Sequence, residues 1–190
     1  MPAWTPAGDL AVWRSQSGTL TAVTDRCPHR GMRLSHGFVR GEALSCIYHG
    51  WRYAKTGACL RIPAHPGLTP PDTIRAATRA VAESGGLIWI AVGEPEGKPP
   101  VFAGLKPLRS LVAQAPLDAV EKVAGAKASP QSLIGMGTFS LLVCAYRGGT
   151  ALIHVLASAA SSPVEGIAAS RSAEDIRRRA ESLAAPEMAA

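Results

Sequence analysis

Residues 27–53 read CPHRGMRLSHGFVRGEALSCIYHGWRY. Two short strings frame the stretch: Cys27-Pro28-His29-Arg30-Gly31 and Cys46-Ile47-Tyr48-His49-Gly50-Trp51, with sixteen residues between His29 and Cys46. Each string supplies one thiol and one imidazole. Working outward, apolar and β-branched runs of five to eight residues are cut repeatedly by Gly, Pro and Ser, which is a pattern of short strands. DLAVWR (9–14) and TLTAVT (19–24) flank Ser15–Gly18 as a hairpin signal, ACLRIP (58–63) follows a Lys-Thr-Gly turn, RAATRAVAE (75–83) alternates, and GGLIWIAV (85–92) suits a buried strand. The segments 25–37 and 46–51 interrupt this pattern as long irregular insertions, and long loops in a compact β domain tend to carry function. Residues 1–93 are therefore expected to be a mainly β domain with two functional loops.

Composition narrows the classes. At 190 residues and 47% hydrophobic content the chain has material for a core, and with only 5% aromatics that core must be built mostly of Ala, Val, Leu and Ile. Twenty basic against fourteen acidic residues give +6, which favours acidic partner surfaces but falls short of a nucleic-acid-binding excess. Four cysteines without regular spacing do not suit a disulfide-stapled secreted scaffold, and the opening MPAWTPAGDL has neither a basic n-region nor an apolar h-region. The uncharged stretches 128–146 and 148–164 have the length of membrane spans, but Pro130, Gln131, Gly135, Gly137, His154 and many serines argue against spanning. The expectation is a cytoplasmic chain with no membrane and no nucleic acid among its partners, in which a Cys/His cluster reads as a metal site.

Four N/S donors suit tetrahedral zinc, yet structural zinc sites favour Cys pairs two to four residues apart or His pairs at helical spacing. Here each pair is mixed. A mixed pair on each of two facing loops suits a binuclear centre in which one iron takes both sulfurs and the other both nitrogens. On these residues the chain resembles the Rieske [2Fe-2S] domain of ring-hydroxylating and related Rieske oxygenases: CPHRG, sixteen residues, then CIYHGWRY, with AVWR before the first loop and GLIWIAVG closing the domain. The likeness covers roughly residues 9–93. It implies a Rieske-type β-sandwich with a [2Fe-2S] cluster, Cys27 and Cys46 holding one iron, and His29 and His49 the other. It also implies a potential that falls at alkaline pH, because iron-bound imidazoles lose protons on oxidation.

In respiratory-complex Rieske proteins each loop carries an extra, disulfide-linked cysteine, and a hydroxyl follows the His-Gly pair. Here the corresponding positions offer Met32, Ile47 and Tyr48, and Trp51 stands in the hydroxyl's place. Hydrogen bonds to the sulfurs raise a cluster's potential, so their absence places this one in the lower part of the Rieske span of about −150 to +300 mV. Residues 25–61 hold seven basic against two acidic side chains, nearly the whole net charge. Arg26, Arg30, Arg33, Arg40, Arg52, Lys55 and Arg61 read either as a collar steering an acidic flavoprotein reductase or ferredoxin donor, or as solvated loop residues.

GEPEGKPPVFAGLKP (93–107) has four prolines and three glycines, so residues 94–107 read as a linker. Beyond it, residues 108–190 are expected to form a small α+β region. Residues 108–127 suit either a weak helix or a strand, TFSLLVCAY and TALIHVLAS flank a turn at Arg147–Gly149, and a final helix is expected to start at Ser172 with Asp175, to bury Ile176, Ala180 and Leu183, and to end at Pro186. This part is distantly similar to the end of an oxygenase catalytic domain, either a shortened helix-grip remnant or a partner interface. The oxygenase family also needs a mononuclear iron held by two His and a carboxylate. Beyond the two cluster histidines the chain has only His36, His65 and His154, and the family's spaced Asp-His-His string is absent. Cys59 and Cys144 read as packing residues, and Arg177–Arg179 as a solvated helix face. The expected role is an electron carrier between a reductase or ferredoxin and an oxygenase or other acceptor. The alternatives are a truncated oxygenase component needing another chain, and a redox-sensing regulator.

Overall fold

The computed structural model describes residues 1–185. In chain order the first strands are β1 (Pro2–Thr5), β2 (Gly8–Arg14), β3 (Leu20–Thr24), β4 (Phe38–Arg40), β5 (Ala43–Ser45), β6 (Arg52–Tyr53), β7 (Cys59–Arg61), β8 (Thr78–Arg79), β9 (Val81–Ser84) and β10 (Leu87–Ile90). They build two four-stranded antiparallel sheets, ordered β1-β2-β3-β8 and β4-β5-β6-β7, and a separate β9-β10 hairpin. Ala11, Trp13 and Val23 from the first sheet and Leu44, Tyr53 and Cys59 from the second share one buried cluster with Cys27, Leu34 and Cys46 from the intervening loops. That is the expected mainly β sandwich. Its two irregular crossings, between β3 and β4 and between β5 and β6, are the two motif strings.

The chain divides into two compact units, Met1–Glu83 with Ile88–Lys98, and Ser84–Leu87 with the residues from Pro99 onward. The second contains β11 (Leu105–Ala113), α1 (Leu117–Ala124), β12 (Ile134–Gly135), β13 (Phe139–Ala145), β14 (Ala151–Ser158) and α2 (Pro163–Ala184). One antiparallel sheet, ordered β11-β14-β13-β12, carries α2 on one face. Leu111, Leu141, Val143, Ile153 and Val155 of the sheet pack against Ala169, Ala173, Ile176, Ala180 and Ala184 of the helix. The helix meets the sheet almost wholly through alanines, which cost no side-chain entropy and favour helix. The two uncharged stretches of span-like length lie largely in β13, β14 and their flanking turns, and among the described residues no helix is long and apolar enough to cross a membrane.

Three local expectations change. Residues 108–127 hold both elements, the end of β11 and then α1, because Pro116 starts the helix and Gly125, in the left-handed region, ends it. β11 also begins at Leu105, inside the stretch read as a linker. The last helix starts nine residues before Ser172, at Pro163: Ser162 accepts from the Glu165 amide while the Glu165 carboxylate accepts from the Ser162 amide, a complete capping box. The segment before Ser172, PVEGIAASR, has little hydrophobic periodicity, and its two large apolar residues, Val164 and Ile167, are exposed, which hid these turns. Leu183 is 47% exposed, and Ala184 takes its place on the buried face. Pro186 lies outside the described residues.

Candidate metal centre

The two motif loops are the same turn used twice. In the first, the Cys27 amide donates to the Met32 carbonyl (2.8 Å) and the Gly31 amide to the Cys27 carbonyl (2.8 Å). In the second, the Cys46 amide donates to the Trp51 carbonyl (2.9 Å) and the Gly50 amide to the Cys46 carbonyl (3.0 Å). The fifth position of each turn has φ +69°, which glycine adopts without steric cost. The histidine is third in one loop and fourth in the other. Both cysteines are buried, at 4% and 2% exposure, whereas His29 is half-buried and His49 exposed. Each loop thus sets a sulfur at its base and an imidazole toward its tip. The His29 and His49 rings lie 4.7 Å apart at 65°, and the Cys27 thiol is close enough to Cys46 to act on its thiol electrostatically. The four residues named from sequence come together as a sulfur pair and an imidazole pair.

Burial pushes the Cys46 thiol up, and the Cys27 sulfur adds to this, while the Tyr48 and His49 amides aimed at its sulfur pull the other way. Loss of solvent, then the neighbouring His49 and Arg30, lowers His29. Backbone amides directed at a sulfur stabilise its anionic form, which suits a thiolate ligand. Among the described residues no three His, Cys, Asp or Glu donors converge on one point. Two pairs, each completed by bridging sulfide, are what a binuclear iron–sulfur group requires, so the donor set fits that group in type and grouping.

Sequence reasoning missed Tyr53. Its hydroxyl lies 3.0 Å from the Cys27 sulfur, and burial followed by that sulfur pushes the phenol above its ordinary range. The expectation of sulfurs without a hydroxyl partner is therefore corrected: Trp51 does replace one hydroxyl, but another arrives two residues later. A signal existed, since a buried tyrosine oxygen nearly always finds a partner and Tyr53 follows the ligand string directly. The aromatic neighbours were also unread. Trp51 stacks on His29 with ring centres 4.5 Å apart and planes 5° apart, and Tyr48 leans on His49 at 3.9 Å and 33°.

Charged side chains brace the loops. The Asp25 carboxylate is fully buried and accepts from the Ser35 amide (2.6 Å), the Ser35 hydroxyl (2.7 Å) and Arg33 (3.3 Å), which also reaches Asp9 (3.1 Å). Glu42 accepts from the Ser17 amide (2.8 Å), the Ser17 hydroxyl (2.7 Å) and Lys55 (3.1 Å), which hold its carboxyl at about 2. Arg33 and Lys55 thus drop out of the basic collar. Arg26, Arg30, Arg40, Arg52 and Arg61 have no acidic partner within salt-bridge distance among the described residues. Arg177 bridges Glu174 and Glu181, so the arginine run on α2 is partly an ion-pair network.

The remaining candidates stay apart from the loops' donors or pack beside them. His36 ends a short 3₁₀ turn after the first loop, and His65 is exposed beyond the second. Cys59 is buried in the same cluster as the loop cysteines, its thiol toward the Arg61 carbonyl at 3.8 Å, while Cys144 is half-buried on β13; burial raises both thiols. His154, on β14, bonds through Nδ1 to the Ser110 hydroxyl on β11 at 2.7 Å.

The Rieske [2Fe-2S] domain family matches residues 5–74, across both loops. Oxidoreductase NdmD of Pseudomonas putida is 46% identical over 92 residues, which are 48% of this chain and 16% of that protein. The 4beta-methylsterol monooxygenase of Methylococcus capsulatus is 45% identical over 89 residues, 46% of this chain and 24% of that protein. The 3-chlorobenzoate-3,4-dioxygenase oxygenase subunit of Comamonas testosteroni is 35% identical over 85 residues, 44% and 20%. The matched stretch thus spans a quarter or less of these curated relatives. Among solved structures, the Pseudomonas putida CBB5 NdmA QL mutant with theobromine superposes with TM-score 0.73 at 19% identity, covering 95% of this chain and 73% of that one. Dicamba monooxygenase bound to dicamba gives 0.73 at 16% identity, covering 99% and 83%. At such identities the likeness is one of fold, and it extends through the second unit. Residues 5–74 thus match the Rieske [2Fe-2S] domain, a kind of unit that carries a two-iron cluster and transfers electrons.

Proposed function

We propose that Cys27 and Cys46 hold one iron and His29 and His49 the other, and that the chain carries single electrons from a flavoprotein reductase or ferredoxin to an oxygenase or other terminal acceptor. The observation that carries this reading is the sorting of donors by depth, with two buried sulfurs below and two imidazoles toward the surface. When bound, the cluster supplies reversible one-electron exchange. The chain's own residues do the rest. The buried base around Leu34, Leu44 and Tyr53 keeps water from the sulfurs, and the Tyr48, His49 and Tyr53 donors stabilise negative charge on them. His49, beside the exposed Ile47 and Tyr48, presents the shortest path to a partner. The five unpaired arginines steer an acidic partner toward it, an effect that weakens with salt. The four free cysteines support a reducing, cytoplasmic setting.

A second reading, an oxygenase component that needs another chain for catalysis, is favoured by a fold likeness covering 95% of this chain and 73% of the NdmA structure. One set of experiments serves both. Anaerobically purified protein is expected to hold two irons and two sulfides per chain, to show the EPR signal of a reduced Rieske centre, and to be reduced by a ferredoxin at a rate that falls with salt. Colourless protein holding one zinc overturns the ligand set. Oxygen-dependent product from this chain with a reductase alone overturns the carrier role.

A further inference from the structure

We propose that Trp51 is the positioning residue for His29, a brace by which the second loop sets the imidazole orientation of the first. The reading rests on the ligand set proposed above. The two turns match bond for bond, and their sixth positions are Met32 and Trp51. His49 has its aromatic neighbour, Tyr48, within its own loop and tilted by 33°, whereas His29 is covered face to face by a ring from the other loop, 5° from parallel. Trp51 is itself anchored. Its carbonyl closes the second turn by accepting the Cys46 amide, and its side chain packs against the buried cluster that holds both cysteines.

The physical need is specific. An imidazole turns about an sp³–sp² bond whose preferences are broad, so rotamer choice alone leaves the ring plane loose. A metal-bound histidine is ordinarily oriented by a hydrogen bond from its second ring nitrogen. Among the described residues neither ring nitrogen of His29 has a hydrogen-bond partner within the chain. A parallel aromatic contact restrains the plane directly and covers one face of the ring from water. Trp51 therefore does by stacking what a carbonyl or carboxylate does elsewhere, and it couples the two loops so that neither sets its ligand alone.

The test compares the full-length wild type with Trp51→Phe and Trp51→Leu. In cluster-free protein, NMR of the His29 ring protons, assigned with a His29→Gln variant, is expected to show an upfield ring-current shift in the wild type. That shift is retained in Trp51→Phe and lost in Trp51→Leu. In loaded protein, Trp51→Phe is expected to keep the wild-type EPR g-values and midpoint potential, and Trp51→Leu to broaden the signal and move the potential. Wild-type-like His29 shifts and g-values in Trp51→Leu overturn the proposal. If Trp51→Leu does not fold, the wild type still decides, since His29 ring protons without an upfield shift also overturn it. Wild-type protein that binds no iron–sulfur cluster overturns the ligand set instead, and the NMR comparison then reports the stacking on its own.

Discussion

The two units of this chain solve the problem of holding a shape by different means. In the first, the core surrounds two irregular turns and is built partly of sulfur and aromatic side chains, with a buried carboxylate, Asp25, tying the first loop together. In the second, a continuous antiparallel sheet meets a helix mainly through Leu, Val, Ile and Ala, with Phe139 beside them. All three buried side-chain polar atoms that lack a partner among the described residues, Trp13 Nε1, Ser45 Oγ and Arg79 Nε, belong to the first unit. The curated relatives match at 35 to 46% identity over 44 to 48% of the chain, and the matched family domain lies in the first unit, while likeness in fold covers 95 to 99% of the chain at under 20% identity. Where side chains are chosen for chemistry their identities persist. Where they are chosen for volume, many combinations fill the same space.

That contrast can be broken or sharpened by experiment. The largest effect is expected from Cys46→Ala, which removes a buried sulfur donor: iron content and the reduced EPR signal are lost, while calorimetry shows the second unit unfolding at its usual temperature. Loss of both units together would show that the second depends on the metal site. Next comes Ile153→Ala, a fully buried position on β14, expected to cost about 2–5 kcal/mol of second-unit stability in denaturant titrations. The cluster's absorption spectrum should not move. Tyr53→Phe removes the hydroxyl on Cys27 and is expected to cost about 1 kcal/mol and to lower the midpoint potential in protein-film voltammetry. An unchanged potential would mean that this hydroxyl packs without tuning.

The smallest effect is expected from Ser162→Ala, about 1 kcal/mol, read from thermal unfolding of α2. It carries a pH signature. The Ser162 amide and hydroxyl hold the Glu165 carboxyl below its ordinary value of 4.5, so this part of the cap is fully present above that pH. It fades as acid carries the solution through the lowered value. The difference between wild type and variant should therefore narrow in acid, and a difference that widens there would refute the cap's contribution.

Legibility followed distance along the chain. The four proposed donors stand out in the sequence because each pair lies within four residues and because only a few residue types bind iron. The short strands, the hairpins and the mainly β class were legible from alternation and turn residues for the same local reason, and the sandwich followed from the resemblance carried by the motif strings. The early turns of α2 were not, since alanine and serine carry almost no hydrophobic signal even when buried. Nor was the thinning of the basic collar: Arg33 is paired with Asp9, twenty-four residues away, and Lys55 with Glu42 across two turns.

What the residue order set out was the proposed chemistry, two sulfurs and two imidazoles on two short strings in a β pattern, because metal affinity belongs to the side chains and their spacing. What folding settled was how that chemistry is tuned and braced. The Tyr53 hydroxyl on Cys27, the Trp51 ring on His29 and the carboxylates that quiet Arg33 and Lys55 all join positions remote in sequence. Contacts of this kind arise from sheet register and shared burial, which no local pattern of residues encodes.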